Sequence, residues 1–90
     1  MAALDLMNRK WILRLVWELR NDARGFRELQ AACNGLSPSV LSRRLKELQE
    51  AKIVEQNDMT LWLLSPIGKQ LAPVLMDLSE WAEVWNKEHH

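Results

Sequence analysis

Leu36-Ser37-Pro38-Ser39-Val40-Leu41-Ser42-Arg43-Arg44-Leu45-Lys46-Glu47-Leu48 is the stretch from which the fold is read. Ser37 is a good N-cap, because its side-chain oxygen can accept from a backbone N–H in the first helical turn. Pro38 then stands at the first helical position, where its N–H is not missed and its φ already suits a helix. Leu41, Leu45 and Leu48 recur at i, i+4, i+7 and form one inward stripe. Ser39, Ser42, Arg43 and Lys46 occupy the opposite side, which is small and basic and has no apolar residue. The pattern predicts a helix over 38–50, ending near Ala51 with Lys52 at the C′ position.

Working back from Ser37, Asn34-Gly35 is a cap-and-turn signal. It closes a short helix over 26–33, with Phe26, Leu29 and Ala32 or Cys33 on one side. Asn21-Asp22 opens the loop that runs through Gly25. Before that loop, Asn8 can cap a helix from about Arg9 to Arg20. Trp11, Ile12, Leu13, Leu15, Val16, Trp17 and Leu19 cover about two-thirds of its circumference, so burial on two sides is expected.

Working forward from Lys52, Ile53 to Gln56 and Met59 to Leu64 read as two short strands joined by a tight Asn57-Asp58 turn. Ser65-Pro66 repeats the cap-then-proline signal and opens a last helix over about 66–88. Leu71, Val74, Leu75, Leu78, Trp81, Ala82 and Trp85 make a stripe ~120° wide on it. Pro73 removes one backbone hydrogen bond inside this helix, and a kink or break is expected near Ala72.

Ninety residues, 48% hydrophobic and 27% charged, fit one small domain spanning 1–90 and are too apolar for a disordered chain. A chain this short buries a modest share of its surface, which favours an oligomer. One cysteine rules out an internal disulfide framework and suits a reducing compartment. No apolar run is long enough to span a bilayer, and Met1-Ala2-Ala3-Leu4-Asp5 lacks the features of a signal peptide, so the expected location is the cytoplasm. Twelve basic and twelve acidic side chains cancel, but unevenly. Residues 9–46 hold nine basic and three acidic side chains, whereas 58–90 hold two basic and five acidic. The basic half is a candidate phosphate-facing surface, against the plain alternative of solvated helix faces.

Helix, short helix, turn, capped helix with a basic outer face, hairpin, helix is the order of a winged helix-turn-helix: mostly α with a small β-hairpin. On this reading the helix over 38–50 enters the major groove. Ser39 and Ser42 allow close approach, Arg43 can reach two acceptors on a guanine edge, and the cap residue Ser37 is counted in the same DNA-binding set. Arg44 and Lys46 are placed for phosphates, as are Arg24 and Arg27 at the start of the preceding helix. The alternative is a winged-helix protein–protein module with little DNA binding, which the zero net charge and acidic tail favour.

Several blocks resemble one family. Lys10-Trp11-Ile12-Leu13-Arg14-Leu15, Phe26-Arg27-Glu28-Leu29, the stretch 36–48, Trp62-Leu63-Leu64-Ser65-Pro66-Ile67-Gly68-Lys69 and Pro73-Val74-Leu75-x-x-Leu78-x-x-Trp81 are similar to the HxlR-type transcription regulators, in the family's order, over about 4–85. The resemblance implies a dimeric DNA-binding protein whose N-terminal segment and last helix build the dimer. Its partners would be double-stranded DNA and a second copy, with no membrane and no identified effector. Ser39, Ser42, Arg43 and Lys46 would face the operator. The departures are specific. Met1-Ala2-Ala3 stands where the family often has Cys-Pro, which argues against a thiol sensor there. Gly25 replaces a basic residue, and Lys52 replaces a usual glycine, so lysine must adopt φ > 0 there or the turn must differ. The hairpin tip is short and acidic rather than long and basic.

The sequence carries no catalytic chemistry. It has no Gly-rich phosphate loop, nucleophile elbow or His-based acid/base pair. One Cys and two terminal His cannot build a zinc site, and no cofactor is expected. Cys33 lies on an apolar helix side and reads as packing. His89-His90 reads as a tag remnant and is given no role. Five tryptophans exceed what this core needs. Trp11 and Trp62 read as core. Leu4, Leu13, Trp17, Leu78, Trp81 and Trp85 are the expected dimer interface, since Trp is enriched at interface hot spots.

Overall fold

Residues 2–89 are described by a computed structural model of the chain; Met1 and His90, which end the Met1-Ala2-Ala3 and His89-His90 readings, lie outside the described residues. The elements are α1 (Ala2–Met7), α2 (Ile12–Glu18), α3 (Phe26–Ala32), α4 (Pro38–Glu50), β1 (Val54–Gln56), β2 (Trp62–Leu64) and α5 (Pro66–His89). This is the winged-helix order expected, and α4 follows its local signals closely. The Ser37 hydroxyl accepts from the Val40 N–H at 3.4 Å, and Leu41, Leu45 and Leu48 are fully buried. They pack into one core with Ile12, Leu15 and Val16 of α2, Leu29 of α3, Val54 and Leu64 of the hairpin and Leu75 of α5.

Helices α3 and α4 end in the same device. After α3, the Gly35 N–H bonds the Gln30 carbonyl at 2.9 Å and the Asn34 N–H bonds the Ala31 carbonyl at 3.1 Å. After α4, the Ile53 N–H reaches Leu48 at 2.9 Å and the Lys52 N–H reaches Gln49 at 3.0 Å. This is the Schellman pattern, which needs a left-handed residue at C′. Asn34 (φ 59) and Lys52 (φ 64) supply it. Asparagine tolerates that region, whereas lysine is strained in it. Lys52→Gly is therefore expected to stabilise the fold by about 0.5–1 kcal/mol, the relief of strain exceeding the extra entropy of unfolded glycine. A thermal melt followed by circular dichroism reads this as a midpoint raised by a few degrees; a lowered midpoint contradicts it.

The N-terminal part departs from expectation. Asn8 does not cap a long helix over 9–20; its N–H bonds the Leu4 carbonyl at 3.0 Å and closes α1. Helix α2 starts only at Ile12, after Trp11 at φ 78 with no side-chain cap. Leu6, Met7 and Trp11 pack against the core, and this packing holds the turn between the two helices. Burial of α2 on two sides agrees with its apolar coverage, since it touches α3 and α5 as well as α1.

The hairpin is antiparallel, with Val54 opposite Leu64, Glu55 opposite Leu63 and Gln56 opposite Trp62. The two-residue Asn57-Asp58 turn is not formed, and the strands are shorter than expected. Residues 57–61 make a loop closed by the Asn57 N–H on the Leu61 carbonyl at 2.9 Å. The Asn57 side-chain oxygen accepts from the N–H groups of Met59 (2.9 Å) and Leu61 (3.0 Å), so one side chain replaces two ladder bonds. A further pairing is unsignalled in the sequence: Arg24 and Trp62 exchange both backbone bonds at 2.8 Å, fastening the loop before α3 to the outer edge of β2.

Helix α5 continues through Pro73 without the break expected near Ala72. Proline leaves the Lys69 carbonyl without its helical partner, but both residues are exposed, so water can satisfy that oxygen. The Ser65 hydroxyl donates to the Lys52 carbonyl at 2.6 Å and accepts from the Gly68 N–H at 3.1 Å, joining the start of α5 to the end of α4.

Candidate nucleic-acid interface

Burial of Leu41, Leu45 and Leu48 fixes the rotation of α4, and Ser39, Ser42, Arg43 and Lys46 consequently face outward and are exposed. Ser39 Oγ lies 3.5 Å from Ser37 Oγ, whose oxygen also serves the cap. Ser42, Arg43 and Lys46 make no side-chain hydrogen bond or ion pair with other described residues, so their polar groups remain available to a ligand.

The remaining cations divide. Arg44, expected to face phosphates, is half-buried on the flank of α4 with Val40 and Glu47. Its Nε donates to the Lys10 carbonyl at 2.8 Å and its guanidinium pairs with Glu47. Arg24 is also engaged: its Nε donates to the Glu18 carbonyl at 2.9 Å, and it lies 3.7 Å from the Glu28 carboxylate. Arg27 is exposed and makes no such bond among the described residues. A guanidinium held by a backbone carbonyl has fewer donors to offer DNA, so Arg27, Arg43 and Lys46 form the open cationic set.

Two features went unread in the sequence. Glu47, on the flank of α4, accepts from both Arg9 and Arg44. The hydrogen bond from Arg9 holds its carboxyl below the ordinary range; burial opposes this and Arg44 reinforces it. The i, i+3 spacing of Arg44 and Glu47 is a signal for half of this cluster. The second feature is a cleft of about 500 Å³ between α4 and the hairpin, lined by Ser42, Lys46 and Gln49 on one side and Gln56 and Thr60 on the other, with Trp62 below. Asp58 is exposed in the hairpin loop, which holds no Lys or Arg.

The expected dimer residues lie on another surface. Val74, Leu78, Trp81 and Trp85 form one stripe along α5 and are 58%, 49%, 59% and 46% exposed. Leu13 and Trp17 of α2 line a groove of about 250 Å³ together with Leu75, Leu78 and Ala82. The Trp17 ring also carries the Arg20 guanidinium at 3.9 Å. Leu4 is exposed on α1. Cys33 is buried, and desolvation pushes its thiol pKa up against a smaller opposing pull from Arg14. It is a packing residue held as the unreactive thiol. Among the described residues no group of three metal-ligating side chains comes together, and no helix is long and apolar enough to cross a membrane.

A capped helix with an unencumbered polar outer face, set between a short preceding helix and a hairpin, defines a winged helix-turn-helix. The chain belongs to the HxlR-like helix-turn-helix family, whose model matches residues 6–90. It is 36% identical over 89 residues to the uncharacterized HTH-type transcriptional regulator YvaP of Bacillus subtilis (strain 168), covering 92% of this chain and 82% of that protein. The quinone-bound crystal structure of YodB from B. subtilis superimposes with a TM-score of 0.83 at 27% identity, covering 91% of each chain. A structure from Enterococcus faecalis V583, described as a transcriptional regulator of the MarR family, matches with a TM-score of 0.83 at 29% identity, covering 98% of this chain and 86% of that one. Transcriptional regulators of the helix-turn-helix type are thus its relatives.

Proposed function

We propose that the chain is a cytoplasmic transcription regulator that binds double-stranded DNA as a homodimer, with α4 in the major groove of each half-site. The observation that carries this reading is the outward row of Ser39, Ser42, Arg43 and Lys46, exposed with Arg43 and Lys46 unpaired. Two serines keep the helix surface low enough for close approach to the bases. The Arg43 guanidinium can then donate twice to one guanine edge. Lys46 and Arg27 flank it and serve phosphates. Arg44 and Arg24 are spent inside the domain and contribute mainly to its shape. The acidic hairpin loop lends little to phosphate binding, which leaves α4 as the principal contact.

Dimerisation through the stripe on α5, with α1 and the α2 groove beside it, supports two-fold recognition. A symmetric pair presents two copies of α4 to major grooves about one helical turn apart.

The test is titration against a duplex selected from a random-sequence library by the wild-type protein, and against a random duplex of equal length. Arg43→Ala is expected to reduce affinity for the selected duplex by about 1–3 kcal/mol per half-site and to relax preference at one base pair in each, with little change on the random duplex. Wild-type affinity should fall with salt at a log–log slope of about −0.9 per phosphate contacted. Absence of wild-type binding at low salt, or an Arg43→Ala profile identical to wild type, contradicts the reading.

A further inference from the structure

We infer that Arg9, Arg44 and Glu47 form a clasp that fixes the angle of α4 against the turn between α1 and α2, and that they are positioning residues for DNA recognition. The inference rests on the DNA-binding reading above. Helix α4 has three functional sides. Leu41, Leu45 and Leu48 face the core, Ser39, Ser42, Arg43 and Lys46 face out, and Val40, Arg44 and Glu47 form a half-buried flank. That flank is fastened to the 8–11 turn at two points. Arg44 Nε donates to the Lys10 carbonyl at 2.8 Å, and Arg9 donates to the Glu47 carboxylate, which also receives Arg44.

The turn is a firm anchor. Trp11 holds a left-handed backbone (φ 78), packs on the core and carries the Lys10 ammonium 5.8 Å from its ring centroid. The Ile12 N–H closes the turn on the Arg9 carbonyl at 3.3 Å. A displacement of α1 therefore reaches α4 through Arg9 and Lys10. The clasp also accounts for a carboxylate on a helix meant to approach a polyanion: two guanidinium groups neutralise it. An exposed carboxylate there would only repel phosphates, so the pairing gives Glu47 a use that outweighs its sign.

This reading and simple charge make opposite predictions for Glu47→Gln. Removing a negative charge near DNA strengthens binding to every duplex. Loosening the clasp weakens binding to the selected duplex, which needs α4 at one angle, and spares the random duplex. The experiment measures dissociation constants of wild type, Glu47→Gln, Arg9→Ala and the double variant for the selected and random duplexes, at a temperature where melts show each protein folded. The expected result is a loss of roughly tenfold for Glu47→Gln on the selected duplex only. Arg9→Ala should lose more on the selected than on the random duplex. The double variant should lose no more than the worse single, since one clasp is broken once. Arg9→Lys should restore most of the affinity. Arg9 is half-exposed, so Arg9→Ala keeps the test open should Glu47→Gln fail to fold. Equal tightening of both duplexes by Glu47→Gln, equal loss on both by Arg9→Ala, or additive losses overturn the clasp while leaving DNA binding intact. A wild type that prefers no duplex overturns the DNA reading itself.

Discussion

A chain carrying both Trp81→Ala and Trp85→Ala is expected to stay folded, to sediment as a monomer and to lose at least about a hundredfold in affinity for a selected duplex. The core ends at Leu75, and both indoles lie beyond it on the exposed stripe of α5. Truncating them therefore leaves Leu41, Leu45 and Leu48 in place beneath α4. Each interface tryptophan, if a hot spot, contributes about 2–4 kcal/mol to association. Loss of both dissociates a small interface, and the affinity gained by tethering two half-site contacts, about 10²–10⁴-fold, goes with it. Analytical ultracentrifugation and the duplex titration check the two parts separately. A variant that remains dimeric and binds as wild type would show that a different surface pairs the chains. A variant that is monomeric yet binds unchanged would show that one α4 suffices.

The second large effect is on stability. Gly68 stands in the first turn of α5, where glycine to alanine would ordinarily favour a helix by up to about 1 kcal/mol. Here the sign reverses. A Cβ at Gly68 would come within 2.2 Å of the Ile53 carbonyl oxygen and 3.2 Å of the Leu64 Cβ. That oxygen is fixed by the Ser65 N–H at 2.9 Å, so it cannot withdraw without opening the junction between α4, the hairpin and α5. Gly68→Ala is expected to cost about 3 kcal/mol or more, which lowers the thermal midpoint by roughly 10–20 °C in a domain of this size. A melt that leaves the midpoint unchanged contradicts this packing. Small marginal domains have little stability to lose, so poor recovery of folded protein is the practical sign.

Legibility followed the range of the interactions involved. Helix α4 was readable because its cap, proline and leucines all act within the helix. The left-handed lysine at 52 was one of two options that the family's usual glycine there left open, and the backbone adopts it. The hairpin tip was not, because Met59 and Leu61 look like strand residues while the Asn57 side chain takes their N–H groups for a loop. Helix α1 was missed because six residues carry too little local signal for a helix, and it depends on packing by Leu6 and Met7. The proline in α5 is tolerated because its missing bond faces water. Arg44 illustrates the limit for the candidate site. A helical wheel puts it roughly 65° from the leucine stripe, on the flank with Val40 and Glu47, but does not show that a carbonyl 34 residues earlier holds it there. The helical period separates Arg43 from Arg44, but only long-range geometry shows that Arg24 and Arg44 are each held by a backbone carbonyl while Arg27 is not.

The claim that α4 reads the major groove is tested most directly by methylation interference on the selected duplex. Dimethyl sulfate marks guanine at N7 in the major groove and adenine at N3 in the minor groove, so one reagent reports on both. The account predicts that N7 methylation blocks binding in two clusters about 10 base pairs apart, one for each α4, and that interference at the guanine contacted by Arg43 disappears from both clusters in Arg43→Ala. Interference confined to adenine N3, or none at guanine in either half-site, would contradict it.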